Sequence, residues 1–307
     1  MPYAHFDALL ADVAPLDDIP VAVVDAAEEH VLRGACEARN QSIIDPILIG
    51  DAQQIHSLLL KMGCDSGSCP NFHIIHADSA EAAAEKGVEM VLAGEVKALM
   101  KGHLHSDAFL HPILAKLRTD RRLSHVFVTD IQTYPKLLLI TDAAINIAPD
   151  LGTKAAILQN AIDLAHILEV AQPKAAILSA VEVVNPAIVS TVDAACLSKM
   201  AERGQITGAL VDGPLAFDNA ISKESAEIKG IRSAVAGDAD ILLVPDLVSG
   251  NILAKDLEYL AGATLAGIVM GAKVPVILTS RADPARARLV SAALAALVHY
   301  RRLEAQS

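Results

Sequence analysis

Between residues 275 and 297 the chain reads PVILTSRADPARARLVSAALAAL, and the apolar run Val276-Ile277-Leu278 is followed at once by Thr279, Ser280, Arg281 and Asp283. The run predicts a buried strand. The segment after Pro284 predicts a helix, with Pro284 suited to its first position and Asp283 then serving as N-cap. A hydroxyl, a guanidinium and a carboxylate would stand together at the carboxyl end of a strand. A guanidinium so close to apolar chain needs a partner, because burying it alone costs several kcal/mol. One solution is an ion pair with Asp283 or a neighbouring strand-end carboxylate. The other is an oxyanion or phosphate clamp, with Ser280 as an adjacent donor and Asp283 as a base or an orienting group.

The same arrangement recurs along the chain. Short apolar runs alternate with helical patterns: VAVVD (21–25), PILIG (46–50), FHIIH (72–76), VKALMKG (96–102), residues 125–129, KLLLITD (136–142), KAAILSA (174–180), GALVDG (208–213), DILLVPD (240–246) and VPVILTS (274–280). That rhythm implies βαβ crossovers and a mainly parallel α/β architecture. Ligands bind such sheets beyond the carboxyl ends of the strands. Those ends carry Asp25, Lys101-Gly102, Asp142, Ser179, Asp212-Gly213, Asp246 and Ser280-Arg281. Each following helix offers free N–H groups and partial positive charge to an anion.

Other polar clusters carry weaker signals. KGHLHSDAFLHP places His103, His105 and His111 together, and an H-x-H on extended chain could hold a metal. No carboxylate cluster accompanies it, so loop histidines beside an anion site are preferred. KLRTDRRLSH gathers Lys116, Arg118, Arg121 and Arg122, either as a solvated helix end or as a phosphate anchor. Cys64 and Cys69 have C-x4-C spacing, but no second pair completes a zinc site, and reduced thiols are the better reading. The chain shows no G-x-G-x-x-G, no G-x-S-x-G and no H-E-x-x-H.

Composition limits the function. The 307 residues are 53% hydrophobic and only 3% aromatic, which calls for an aliphatic core in two domains or one large one. A net charge of −12 argues against nucleic acid as a partner, although local arginines can still attract a small anion. No apolar run is long enough to span a membrane, and the start, MPYAHFDALLADVAP, lacks the basic segment of a signal peptide. A cytoplasmic location is expected.

Taken together, TDAAINIAPDLGTKAAILQNAIDLA, PKAAILSAVEVVNPAIVSTVDAACLSKM, GQITGALVDGPLAFDNAIS and the run from VAGDADILLVPDLVSGNILAK to LTSRAD resemble the phosphate acetyltransferase/phosphate butyryltransferase family. The phrasing is closer to the butyryl branch. The match is dense from Thr141 to about Leu294 and looser before it.

The resemblance implies a two-domain fold like isocitrate and isopropylmalate dehydrogenases, with mainly parallel sheets and a cleft between domains. The expected division is 1–130 plus 276–307 against 131–275. It implies transfer of a short acyl group, acetyl or butyryl, between CoA and inorganic phosphate, with no metal or redox cofactor, in a homodimer or larger assembly. Ser280, Arg281 and Asp283 are the implied catalytic residues. Lys101, Gly102, His111, Ser124, Asp246, Gly250, Asn251 and Lys255 are the implied substrate-binding ones, although Asn251 could merely cap a helix.

Two positions depart from the acetyl-type pattern: Ala287 stands where a distal Asp is expected, and His111 where an Arg is expected. The competing readings are a metal-dependent hydroxyacid dehydrogenase on the same fold and a CoA or acyl-phosphate binding protein without catalysis.

Overall fold

The structure is a computed structural model that describes residues 3–63, 72–281 and 283–304. Cys64 and Cys69, the C-x4-C pair, lie outside the described residues; Cys36 is buried and Cys196 half-buried, and both are free thiols. The chain forms two compact units, Phe6–Arg121 with Ala266–Ser307 and Met1–His5 with Arg122–Leu265.

The first unit opens with α1 (Phe6–Val13), β1 (Ile19–Val24), α2 (Glu29–Asn40), β2 (Ile44–Gly50), α3 (Ala52–Lys61), β3 (His73–His76), α4 (Ala80–Leu92), β4 (Ala98–Lys101) and α5 (Ser106–Lys116). The second unit holds β5 (Ser124–Asp130), β6 (Leu138–Thr141), α6 (Leu151–Ile167), β7 (Lys174–Leu178), α7 (Val189–Glu202), β8 (Leu210–Leu215), α8 (Phe217–Ile221), α9 (Lys223–Ile228), β9 (Ile241–Leu243) and α10 (Leu247–Tyr259). The chain then re-enters the first unit through β10 (Thr264–Met270), β11 (Val276–Ile277) and α11 (Ala285–Glu304).

Strand order in the first unit is β3-β2-β1-β4-β11-β10, and in the second β5-β6-β9-β7-β8. β1 pairs in parallel with β2 and β4, and β11 runs parallel to β4. This brings the carboxyl ends of β1, β4 and β11 to one edge of the first unit. In the second unit β9 runs parallel to both β6 and β7. β10 pairs antiparallel with β11, and β5 with β6. β10 was not expected as a strand. Its residues TLAGIVM are an apolar run of strand length, buried from Leu265 to Met270.

Side-chain caps fix several helix starts. Glu28, Asp51, Ser79, Asp150 and Asp246 each accept a first-turn N–H of α2, α3, α4, α6 and α10 respectively. α11 is the buried helix of the first unit. Every residue from Ala287 to Val298 is inside, as expected of a helix apolar around most of its circumference. Each fully buried Leu or Val there contributes about 1.5–3 kcal/mol. One charged residue, Arg288, sits within that run at 1% exposure.

Candidate functional site

At the carboxyl ends of β1, β4 and β11 the chain collects an unusual density of charge within the first unit. Lys101 ends β4 at 3% exposure, and among the described residues its ammonium has no hydrogen-bond or ion-pair partner. Burial pushes its pKa down to about 8; Arg281 and Arg288 lower it further, while Asp283 and Asp25 pull it back up. Asp25, just beyond β1, adopts a left-handed backbone with φ of 58°. Burial raises its carboxyl above the usual range, against the opposing pull of His103 and Lys101.

Gly102 is fixed by its surroundings. Its N–H donates to the carbonyl of Val24, and a Cβ there would collide with the carbonyl oxygens of Val24 and Asp25. Only glycine lets β4 leave the sheet so close to β1. His103 continues the lock by donating its N–H to the carbonyl of Asp25 at 2.9 Å.

The segment after β11 folds back on itself. The Asp283 carboxylate, 5% exposed, accepts the N–H of Ser280 at 2.7 Å, and the N–H of Asp283 donates to the carbonyl of Ser280 at 3.2 Å. Asp283 is thus turned toward Ser280, and α11 starts at Ala285 with the carbonyl of Pro284 accepting from Ala287 and Arg288. The expectation of Pro284 at the first helical position with Asp283 as N-cap is corrected: the helix begins one residue later, and the carboxylate closes the preceding turn. Arg281 is exposed, and its Nη2 lies 3.5 Å from Nδ1 of His105.

Arg288 was not singled out from the sequence. Its Nη1 donates to Thr279 Oγ1 at 2.9 Å, and its Nη2 reaches the carbonyls of Ser280 at 3.0 Å and Arg281 at 3.4 Å. The available signal was a lone charge inside an otherwise apolar helical run.

The second unit holds its own set. A cavity of about 540 Å³ is lined by Pro149, Asp150, Lys154, Ser190, Asp193 and Asp246, among others. On its wall Lys154 pairs with Asp193 at 2.6 Å. Asp246 caps α10 in a capping box with Ser249. Gly250 permits close packing, since a Cβ would come within 2.7 Å of Val244 Cγ2. Asn251 donates to the carbonyl of Ala143 at 3.3 Å, and Lys255 pairs with Glu258 at 2.6 Å. Asp142, at another strand end, accepts the N–H groups of Ala144, Ile145 and Asn146.

The matching family model, described as "Phosphate acetyl/butaryl transferase", covers residues 73–296. The chain belongs to this family. A phosphate acetyltransferase of Rickettsia prowazekii is 52% identical over 299 residues, 96% of this chain and 84% of that protein. A phosphate butyryltransferase of Clostridium acetobutylicum is 42% identical over 296 residues, 95% of this chain and 97% of that one. Among solved structures, a branched-chain phosphotransacylase of Enterococcus faecalis superposes with a TM-score of 0.77 at 30% identity, covering 92% of this chain and 99% of that one. A 4-hydroxythreonine-4-phosphate dehydrogenase of Burkholderia phymatum reaches a TM-score of 0.53 at 13% identity, over 91% of this chain and 98% of that one, a likeness of fold alone.

Within this phosphate acetyl/butyryl transferase, the expected site residues divide by unit. Lys101, Gly102, Ser280, Arg281 and Asp283 come together in the first. His111 is also in the first unit, exposed on α5. Asp246 faces the cavity of the second unit, where Gly250, Asn251 and Lys255 follow it on α10. Ser124, the first residue of β5, has no exposed surface and accepts a hydrogen bond from Asn160 Nδ2 at 2.8 Å, a packing environment rather than a ligand-facing one. Of the basic cluster, Lys116 pairs with Glu85, and Arg122 Nε donates to Asn146 at 3.1 Å. Among the described residues no group of three or more His, Cys, Asp or Glu could hold a metal, and no helix is long and apolar enough to cross a membrane.

Proposed function

We propose that the carboxyl ends of β1, β4 and β11 hold inorganic phosphate while it exchanges with CoA on a short acyl group. The observation that carries this reading is Lys101, a residue 3% exposed whose ammonium has no hydrogen-bond or ion-pair partner among the described residues, beside the exposed Arg281 guanidinium. A fold retains a buried, unpaired cation at a cost, and an anion arriving between it and Arg281 removes that cost. Family membership supplies the substrate pair, acyl-CoA and phosphate.

The chemistry follows from charge. A phosphate oxygen attacks the thioester carbonyl, the C–S bond breaks, and the electron pair leaves on the CoA sulfur, which is then protonated. In reverse the thiolate attacks the acyl phosphate and expels phosphate. Negative charge spreads over phosphate, carbonyl oxygen and sulfur. Donors held in advance stabilise it by roughly 3–4 kcal/mol each. Arg281 offers a fork to phosphate, Lys101 a point charge, and Ser280 a hydroxyl. Holding both reactants together lowers the barrier further.

Asp283 is read as the group that shapes the turn rather than as the base. Its carboxylate already accepts the Ser280 N–H. Asp283→Asn keeps an acceptor and loses the charge, a difference of about 1 kcal/mol in that hydrogen bond, so kcat/KM falls about fivefold. A base would lose roughly 10²–10⁴-fold. Steady-state kinetics of this variant separate the two roles.

Asp246 and the cavity it lines are read as substrate-binding in the second unit. His111, Gly250, Asn251 and Lys255 are kept as substrate-binding candidates, and the two compact units as the two domains. The active form is read as a homodimer or larger assembly in the cytoplasm, needing no metal or redox cofactor. Acyl preference covers both acetyl and butyryl, since relatives of both names match over almost the whole chain.

A thiol-release assay tests the function. CoA is expected to appear from acetyl-, propionyl- or butyryl-CoA only when phosphate is present, and EDTA leaves the rate unchanged. Phosphate-independent release would mark a thioesterase and overturn the reading. Binding of acyl-CoA without turnover of any of the three would leave only a carrier.

A further inference from the structure

We propose that Arg288 is a positioning residue: from inside α11 it holds the chain at Thr279, Ser280 and Arg281, and so sets the aim of the Ser280 hydroxyl and the Arg281 guanidinium. The proposal rests on the phosphate-transfer reading of this site.

The geometry begins with helix direction. Side chains on a helix lean toward its N-terminus, so a residue one turn into α11 reaches back over the incoming chain. Arg288 is the fourth residue of that helix. Its fork spans three successive residues, donating to a side-chain hydroxyl and two main-chain carbonyls. Lysine has no planar fork and could not make this set. Asp283 grips the same connection through the Ser280 N–H, so Ser280 is held through both its N–H and its carbonyl.

Stability alone does not account for this arrangement. The guanidinium is 1% exposed, it donates to neutral oxygens, and Nε has no hydrogen-bond partner. Burial lowers its pKa, and Asp283 and Glu28 offset this through space. A buried cation so incompletely matched is generally less stabilising than an apolar side chain of its size. The fold has nonetheless made room for it. α2 carries glycine at position 34, where a Cβ would come within 2.8 Å of Arg288 Cδ and 2.9 Å of its Cβ. The glycine therefore makes space for the stem of Arg288.

Three variants test this: Arg288→Lys, Arg288→Met and Gly34→Ala, the last removing no polar group from the site. Two measurements are made on each, amide hydrogen exchange at Ser280 and steady-state kinetics with acyl-CoA and phosphate. Loss of the fork is expected to speed Ser280 exchange at least tenfold in both Arg288 variants. It also lowers kcat by about 10- to 100-fold while KM for acyl-CoA stays within about twofold. Arg288→Lys should not rescue. Gly34→Ala should lower kcat by a few-fold through the displaced stem.

Wild-type exchange at Ser280 in Arg288→Lys, or wild-type kinetics in a variant whose Tm has fallen, would overturn the proposal in favour of a purely packing role. Should Arg288→Met fail to fold, Arg288→Lys and Gly34→Ala still decide it. If wild-type protein releases no CoA with phosphate, the functional reading falls. The exchange data then still decide whether Arg288 holds the turn.

Discussion

Arg281→Lys is expected to lower kcat/KM by at least about 10²-fold, or about 2.7 kcal/mol of transition-state stabilisation, and to leave the fold intact. The charge survives in this variant and the planar fork does not. Phosphate presents several oxygens, and a guanidinium can meet two of them at once, whereas an ammonium acts as a point charge. Because Arg281 is exposed and its guanidinium makes only a long contact, 3.5 Å to His105 Nδ1, among the described residues, little native structure depends on that side chain. Tm should accordingly shift by no more than a surface substitution allows, about 0.5 kcal/mol of stability either way. The comparison is made by measuring kcat/KM for phosphate and Tm on the same preparation. Near-normal turnover would return Arg281 to a structural role and leave the anion to Lys101. A large fall in Tm would show that the lost activity reports unfolding.

The fold was legible because apolar runs and helical periods alternate so regularly, and strand-end residues such as Lys101 and Ser280 could be named from that alternation. Three features were not legible, each for a physical reason. β10 (TLAGIVM) is a continuous apolar run, and a strand buried on both faces has no alternation to announce it. The turn-closing role of Asp283 was not legible because its carboxylate accepts the Ser280 N–H behind it, and a sequence does not distinguish a carboxylate that closes the preceding turn from one that caps the helix ahead. Arg288 was overlooked because a charge in a helix is read by default as solvent-facing. Only the packing of α11 shows that this one points inward. The start of α10 is a different case. The capping box of Asp246, the close-packed Gly250 and the Asn251 amide bonded to a carbonyl are local structure, and Asp246 also borders the cavity, which its type does not reveal.

Lys101→Met is expected to reduce kcat/KM for phosphate by roughly 10²–10³-fold while making the protein more stable. The two effects have one cause. The wild-type fold keeps a lysine only 3% exposed with no hydrogen-bond or ion-pair partner among the described residues, and its pKa is pushed down from 10.5 to about 8 because burial penalises the charged form. Methionine fills similar space without that penalty, so stability rises. Phosphate, however, loses a buried counter-charge, a loss of the order of 2–5 kcal/mol when one partner of such a pair is truncated. Gaining stability while losing activity is the pattern of a residue kept for function.

The pH dependence has a definite sign on both measurements. Below about pH 8 Lys101 is charged and attracts phosphate; above it the charge is lost. Wild-type kcat/KM for phosphate, which reports the free enzyme, should therefore fall as pH rises through about 8. Between about 8 and 10.5 the unfolded chain carries a proton on this lysine that the folded chain has released. The unfolded state binds more protons there, so the Lys101 contribution to stability increases with pH across that window. Lys101→Met should lose both trends: the alkaline fall in kcat/KM disappears, and the stability gained over wild type narrows as pH approaches 10.5. Urea unfolding at pH 7 and pH 10, with phosphate saturation curves at matched pH, supplies both. A Met variant less stable than wild type at pH 7 would mean that the ammonium has a native partner, and would remove the unpaired-cation argument for the phosphate site.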